Sequence, residues 1–546
     1  MSEKTRRLAN KKTRTETGLD YVVSALNLLT PFGSKLIKEQ KPYFPGQERE
    51  LRAELERVQR MVEIAAANER EISVLQETFM MMKDNSFTIE RSARAALSVV
   101  EIFEIKSLLL LIDKVRKTAD RVLLPEEFVP GDITDLLNVL DPGKDRLNTF
   151  YIYDSFSEKL AQLRREKKEL ERESRKEKKK RANELRATTG LNLTPKFDIT
   201  ISKSDAERVK MIEEISELIK SEEDYMSVTY TLAPSEADGL TQKKMDEITA
   251  DIEEEELKVR EELSAEIHKW EDVLLDGCER IGRLDITLAK ALLAIRRNCV
   301  MPQIANEHVV EFTDGRHLQV EEIIRKKGGE YCPVSISLAQ GVTCITGANM
   351  GGKTVSLKLV GMIAIMAQYG YFVPAASARI GLSNFMQILI GDSQSIERGL
   401  SSFGSEMEEL KEMMDNSRDR SLLLIDEIAS GTNPVEGLAL TKSITDYLKQ
   451  QPFISLITTH FEAVTDDRDV VNMQVTGLAN ADFDRLDKEL RYANRRERIN
   501  IIQKYMDYRL TRVDDNREVP KDALNIAKML GIDTNIIEKA KQYLNN

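Results

Sequence analysis

Val342-Thr-Cys-Ile-Thr346 runs straight into Gly347-Ala-Asn-Met-Gly-Gly-Lys-Thr354, and VSLKLVGMIAIMAQ follows. An apolar strand, a glycine-rich loop and a helix in that order satisfy G-x-x-x-x-G-K-[ST] in the setting the pattern requires. Gly347, Gly351 and Gly352 let successive N–H groups of the loop, that of Asn349 among them, turn inward around phosphate oxygens. The helix N-terminus adds partial positive charge. Lys353 is then placed to reach the β- and γ-phosphates of ATP, and Thr354 to put its hydroxyl on Mg2+.

A second apolar strand completes the site about seventy residues later. Ser421-Leu-Leu-Leu-Ile-Asp-Glu427 carries four apolar residues, as a buried strand of a parallel sheet does. Asp426 at its end is placed to hold Mg2+ through water, and Glu427 is the expected general base for the attacking water. A third strand, Phe453-Ile-Ser-Leu-Ile-Thr-Thr-His460, ends on one of only four histidines. At the C-terminal end of a strand in a nucleotide-binding α/β domain, His460 reads as a sensor of the γ-phosphate.

Upstream the texture is different. Residues 18–150 read as helical, with Leu51, Leu55, Val58, Met61 and Val62 at helical spacing and prolines between the helices. Between Arg164 and Arg186 there are 12 Lys/Arg against 6 Asp/Glu, whereas between Met245 and Leu275 there are 12 Asp/Glu against 3 Lys/Arg. Sparse apolar stripes run through both segments, so the expectation is a coiled two-helix stem whose basic outgoing arm is neutralised by its acidic returning arm. The intervening residues 187–244 form a tip. Phe197–Ile201 and Val228–Leu232 alternate like strands there, while Met211, Ile215, Leu218 and Ile219 are expected on one helix. With 7 Lys/Arg against 11 Asp/Glu, this tip is a poor seat for phosphates.

Composition narrows the class. The net charge of −12 gives no global pull toward nucleic acid. Cys278, Cys299, Cys332 and Cys344 never approach C-x-x-C spacing and read as reduced thiols of a cytoplasmic protein. The basic N-terminus has no apolar stretch behind it and so is not expected to be a signal peptide. No apolar run is long enough to cross a membrane.

These stretches resemble the MutS family, within the wider class of ABC-type ATPases, over roughly residues 311–546. ITGANMGGKT is similar to the family's TGPNMGGK[ST], Gly370-Tyr-Phe-Val-Pro-Ala375 to its G-x-[FY]-V-P-A, and Gly399-Leu-Ser-Ser-Phe-Gly-Ser-Glu-Met407 to its G-x-S-T-F-x-x-E-M signature. DEIASGTNPVEGLAL and TTHFEAV resemble its acidic-strand, D-loop and switch-histidine motifs. Asp314-Gly-Arg-His317 resembles the opening G-R-H, and DALNIAKMLGI the closing helix. The resemblance implies a multi-domain chain: a helical core (1–150), a long coiled-coil lever and clamp-like tip (151–275), a return helix of the core (276–310), and an α/β P-loop ATPase domain of the ABC type with C-terminal dimerisation helices (311–546). It also implies that Tyr331 stacks on adenine. A homodimer is implied as well, in which Ser401 and Ser402 of one subunit complete the ATP site of the other.

Departures from the family pattern shape the expected function. No upstream segment resembles the mismatch-reading domain with its intercalating Phe-x-Glu, and no C-terminal Smr nuclease is expected. GTNPVEG and IGDSQSIERGLSSF are closer to the subgroup acting in recombination or ribosome rescue. The leading expectation is an ATP-hydrolysing dimer acting on branched or mispaired duplex DNA. The alternative is a MutS-like ATPase remodelling a protein client, such as a reactivase of an adenosylcobalamin-dependent aminomutase, which TPFGSKLIKEQKPYFPGQE resembles.

Overall fold

The computed structural model describes residues 7–347, 352–391, 402–478, 481–491, 498, 501–502, 504–513 and 522–544. The chain divides into two compact units that interleave in sequence. One comprises residues 81–120 and 129–280; the other comprises 1–80, 121–128 and 281–546.

In the first unit two long helices dominate. The outgoing helix, Glu158–Thr189, starts where the Ser157 hydroxyl accepts from Leu160 N, and stops at Gly190, whose φ of +72° is the left-handed C-cap that glycine adopts freely. The returning helix, Glu236–Lys269, opens with a capping box made by Ser235 and Asp238. The two lie antiparallel: Arg164 pairs with Glu256 at 2.7 Å, and Arg181 with Asp238 at 2.6 Å. Between them sits a small antiparallel sheet of β1 (Asp198–Ser202), β2 (Leu218–Glu223) and β3 (Ser227–Leu232), in the order β1-β3-β2. Alternation puts Val228, Tyr230 and Leu232 inside, as period two requires. The helix expected through Met211–Ile219 ends at Glu213, because Leu218 and Ile219 are drawn into β2 by pairing with Leu232 and Thr231. Deeper in this unit Lys106, 1 % exposed, is held by Asp141 at 3.0 Å and by the Thr149 carbonyl at 2.8 Å.

The register of the helix pair changes the expected charge balance. Arg164 opposite Glu256 and Arg181 opposite Asp238 set the acidic run 251–262 against residues 158–169. The basic run 172–186 instead faces residues 234–248, which carry Lys243 and Lys244 as well as four carboxylates. The basic run is therefore only partly neutralised by its partner.

The second unit holds two sheets. A four-stranded one, in the order β4-β8-β5-β6, is built from β4 (Gln303–Ala305), β5 (Val310–Gly315), β6 (Val334–Leu338) and β8 (Ser377–Gly381). The six-stranded one comprises β7 (Gly341–Thr346), β9 (Phe385–Ile390), β10 (Ser421–Asp426), β11 (Ile454–Thr458), β12 (Val471–Gly477) and β13 (Asp507–Arg512), in the order β13-β12-β7-β11-β10-β9. All its pairings are parallel except that of β13 with β12. Every residue of β10 and β11 is buried, as strands covered on both faces are. The helix Gly352–Gln368 is apolar on nearly every side and is buried along most of its length.

The N-terminal segment closes the sheet's free edge. Met386 N of β9 donates to the Leu8 carbonyl at 2.7 Å, and Ile388 N to the Thr13 hydroxyl at 3.3 Å. Lys12 holds Glu409 at 2.6 Å, and Lys358 holds Glu16 at 2.7 Å. An edge strand with unpaired N–H groups is a hazard, and this strap covers it. Among the described residues no helix is long and apolar enough to cross a membrane.

Candidate nucleotide site

The parallel order brings the ends of β7, β10 and β11 side by side, because β11 lies between the other two. Lys353, on the first turn of the helix after β7, is 3 % exposed. Its Nζ sits 2.8 Å from the Gly347 carbonyl and 3.0 Å from Glu427 Oε1. Thr354 Oγ1 donates to Asp426 Oδ2 at 2.8 Å. The structure thus joins Lys353, Thr354, Asp426 and Glu427, residues some seventy positions apart in the chain. Gly347 has a φ of +119°, which a side chain would strain. Asn349, Gly351 and Ser401 lie outside the described residues. Ser402 begins the helix Ser402–Asn416.

Thr458 was not foreseen from sequence. Its hydroxyl donates to Asp426 Oδ1 at 2.5 Å while accepting from Glu427 N at 3.0 Å, and its carbonyl also accepts from Glu427 N. One threonine at the end of β11 therefore fixes both acids at the end of β10. Its position two residues before His460 was the available signal. Burial raises the Asp426 pKa, and the Glu427 charge adds to the shift, while bonds from Thr458 and Thr354 and the Lys353 charge oppose it.

Glu427 and Ala429 both lie in the left-handed region, with φ of +48° and +59°. Ala429 N donates to Glu406 Oε1 at 2.8 Å, so the helix Ser402–Asn416 is tied to the loop after β10. Burial raises the Glu406 pKa. His460 stands at the end of β11 as expected, but it is exposed, with its ring 4.1 Å from that of Phe461. No hydrogen bond joins it to Lys353, Asp426 or Glu427 among the described residues.

Tyr331 is half-buried, and burial pushes its phenol up to about 12. Its neighbour Cys332 reaches Asp507 at 3.9 Å, and the adjoining Tyr508 packs beside Gly352, where a Cβ would meet its ring at 3.0 Å. Sequence reasoning missed Tyr508, which lies outside every recognised motif and reaches the loop only because β13 pairs with β12.

Residues 343–546 match the family model of MutS domain V. Over that segment the chain is a member of the MutS family. It is 34% identical over 270 residues to a protein named Endonuclease MutS2 from Clostridium botulinum (strain Langeland), covering 49% of this chain and 31% of that relative. Endonuclease MutS2 of Fusobacterium nucleatum is 31% identical over 277 residues, 50% of this chain and 32% of the relative. That of Acetivibrio thermocellus is 32% identical over 290 residues, 53% of this chain and 33% of the relative. The match spans about a third of the length of these curated relatives.

The site fits Mg2+ together with a nucleoside triphosphate. Thr354 and Asp426 offer hard oxygens at hydrogen-bond distance from each other, the donor type this ion takes from protein. Among the described residues no cluster of three or more acidic, histidine or cysteine ligands occurs.

Proposed function

We propose that this MutS-family chain hydrolyses ATP as a homodimer and couples hydrolysis to the handling of branched or mispaired duplex DNA. The observation carrying the ATPase reading is the convergence of Lys353, Thr354, Asp426 and Glu427 at the ends of β7 and β10. Lys353 binds the β- and γ-phosphates, with Gly347, Asn349, Gly351 and Gly352 cradling them through backbone N–H groups. Mg2+, held by Thr354 and Asp426, supplies charge neutralisation at those phosphates. Glu427 orients the attacking water and accepts its proton. His460 senses the γ-phosphate, and Tyr331 stacks on adenine. Ser401 and Ser402 complete the partner's site. The antiparallel pair Glu158–Thr189 and Glu236–Lys269 serves as the lever, with the small sheet as its clamp, in a cytoplasmic protein.

DNA as client rests on the similarity to relatives named endonucleases. No observation favours the aminomutase-type client. The test is phosphate release by the purified chain with Mg-ATP, alone and with matched duplex, mismatched duplex and four-way junction. Turnover that needs Mg2+ and shifts with junction or mismatch supports the proposal. Absent turnover refutes the ATPase reading, and turnover indifferent to every DNA refutes the client.

A further inference from the structure

We infer that the outgoing helix itself, between Arg172 and Arg186, is a docking surface for the phosphate backbone of duplex DNA. The inference rests on the proposed DNA client and adds where contact is made: on the basic half of the helix pair, and away from the small sheet. Residues 172–186 hold eight basic side chains against three acidic ones. The facing segment 234–248 adds two basic and four acidic residues, so this part of the pair is net +3. The other end, residues 158–171 facing 249–262, is net −4 by the same count. A chain of net charge −12 thus carries a local excess of positive charge on this part of the pair.

The cations there are free to act. Arg172, Arg175, Lys176, Lys179, Lys180 and Arg186 are all exposed. Of these, only Arg172 has an ion pair among the described residues, a 3.9 Å contact with Glu169 on its own helix. Arg181, by contrast, is committed to Asp238. Arg172, Lys176, Lys179 and Arg186 recur at helical spacing on one face, over about 21 Å at 1.5 Å per residue. A duplex presents about one phosphate charge per 1.7 Å of axis, so that length faces roughly a dozen.

The composition of the face selects the partner. No large apolar side chain is exposed anywhere from residue 152 to residue 210, and Leu240 is the one large exposed apolar residue on the facing segment. Protein interfaces keep an apolar, charge-depleted centre. A charged face with a basic excess and almost no exposed apolar surface suits sequence-independent phosphate contact. The sheet segment 187–244 is net −4 and is disfavoured for the same contact.

The experiment titrates the full chain against a short matched duplex by fluorescence anisotropy, between about 50 and 200 mM salt. Roughly five phosphate contacts predict a slope of log affinity on log salt between about −4 and −5. Lys176→Glu/Lys179→Glu/Lys180→Glu should flatten the slope by about three and weaken low-salt binding at least about a hundredfold. Lys196→Glu/Lys210→Glu on the sheet segment should change neither, and basal ATP turnover should hold in both variants. If the triple reversal misfolds, the triple Lys→Gln variant replaces it, with the same slope loss expected. Wild-type binding by the triple variant, or a loss that follows the sheet variant, overturns the assigned surface while leaving the DNA client intact. No wild-type binding at low salt overturns surface and client together. Tighter binding of duplex RNA at equal salt, or equal displacement by polyglutamate, overturns the choice of DNA.

Discussion

Replacing Glu427 with Gln separates chemistry from architecture. Gln keeps the size of the side chain and one acceptor oxygen, while the backbone bond from residue 427 to Thr458 stays in place. Lys353 loses an ionic partner at 3.0 Å, yet it remains bonded to the Gly347 carbonyl at 2.8 Å and is not orphaned. The Glu427 carboxylate is 28% exposed, so the lost ion pair costs about 1 kcal/mol at most. Removing its charge also eases the ionisation of Asp426, whose raised pKa owes part of its shift to Glu427, and this offsets the loss. Stability should therefore change by less than about 1 kcal/mol. Turnover, in contrast, should fall at least about a hundredfold, or about 2.7 kcal/mol in the barrier, because the positioned base is gone. Phosphate release measures the second quantity, and denaturant unfolding with equilibrium ATP binding measures the first. Turnover within a few-fold of the unaltered protein would sink the assignment of Glu427. Loss of ATP binding with lost stability would show instead that the residue is architectural.

Tyr331→Ala should weaken ATP binding by about 1–2 kcal/mol of lost ring stacking; lowered stability with unchanged affinity in melts with and without ATP would refute the stacking role. Subunits carrying Lys353→Ala mixed with subunits carrying Ser401→Ala and Ser402→Ala should recover one working site per heterodimer, and a mixture that stays inactive argues for sites complete within one chain. Lys106→Met leaves the buried Asp141 with Arg146, at 3.6 Å, as its remaining cation and should cost about 3 kcal/mol in denaturant unfolding; a loss below about 1 kcal/mol would refute the pairing. Burial lowers His317 to about 4 in the fold, against about 6.5 unfolded, so its contribution is complete above about pH 6.5 and is lost progressively as pH falls toward 4. His317→Gln should flatten stability across that window by up to roughly 3 kcal/mol, and an unchanged pH profile would show that the histidine is not held neutral.

The nucleotide site was legible because its chemistry is local in sequence. A strand, a glycine loop and a helix sit within thirty residues, and two acids close an apolar strand. Lys353, Thr354, Asp426 and Glu427 were placed by these local patterns, and their meeting follows from the order of parallel strands. What was not legible depends on register between distant segments. The charge runs showed that two helices could attract, but the counts did not show which stretch faces which. Only the pairing of Arg164 with Glu256 and Arg181 with Asp238 leaves the basic run 172–186 exposed. Tyr508 and the strap from Leu8 to Thr13 likewise act across more than a hundred residues, and neither carries a periodic or motif signal of its own. The helix expected through Ile219 failed for a related reason, since pairing with β3 outweighed local helical spacing at Leu218.

The loop after β10 shows why the acidic pair is more than two charges at a strand end. Non-glycine residues in the left-handed region cost on the order of 1–3 kcal/mol each unless their surroundings impose it, and Glu427 and Ala429 both lie there. Three bonds impose it: Glu427 N to the hydroxyl and the carbonyl of Thr458, and Ala429 N to Glu406. Gly437 contributes by lacking a side chain, since a Cβ there would stand 2.7 Å from the Ala429 carbonyl. The strained turn aims the Glu427 carboxylate back at Lys353 instead of letting it continue the line of the strand. Glu406 and Glu409 belong to the same helix, and Glu409 is gripped by Lys12 of the N-terminal strap. The helix that begins at Ser402 is therefore anchored at one point to the loop bearing the proposed base and at another to the segment closing the sheet edge. In the proposed dimer that helix presents the signature to the partner. The same rigid piece would then set the geometry of its own hydrolytic carboxylate and of the contact that completes the neighbouring site.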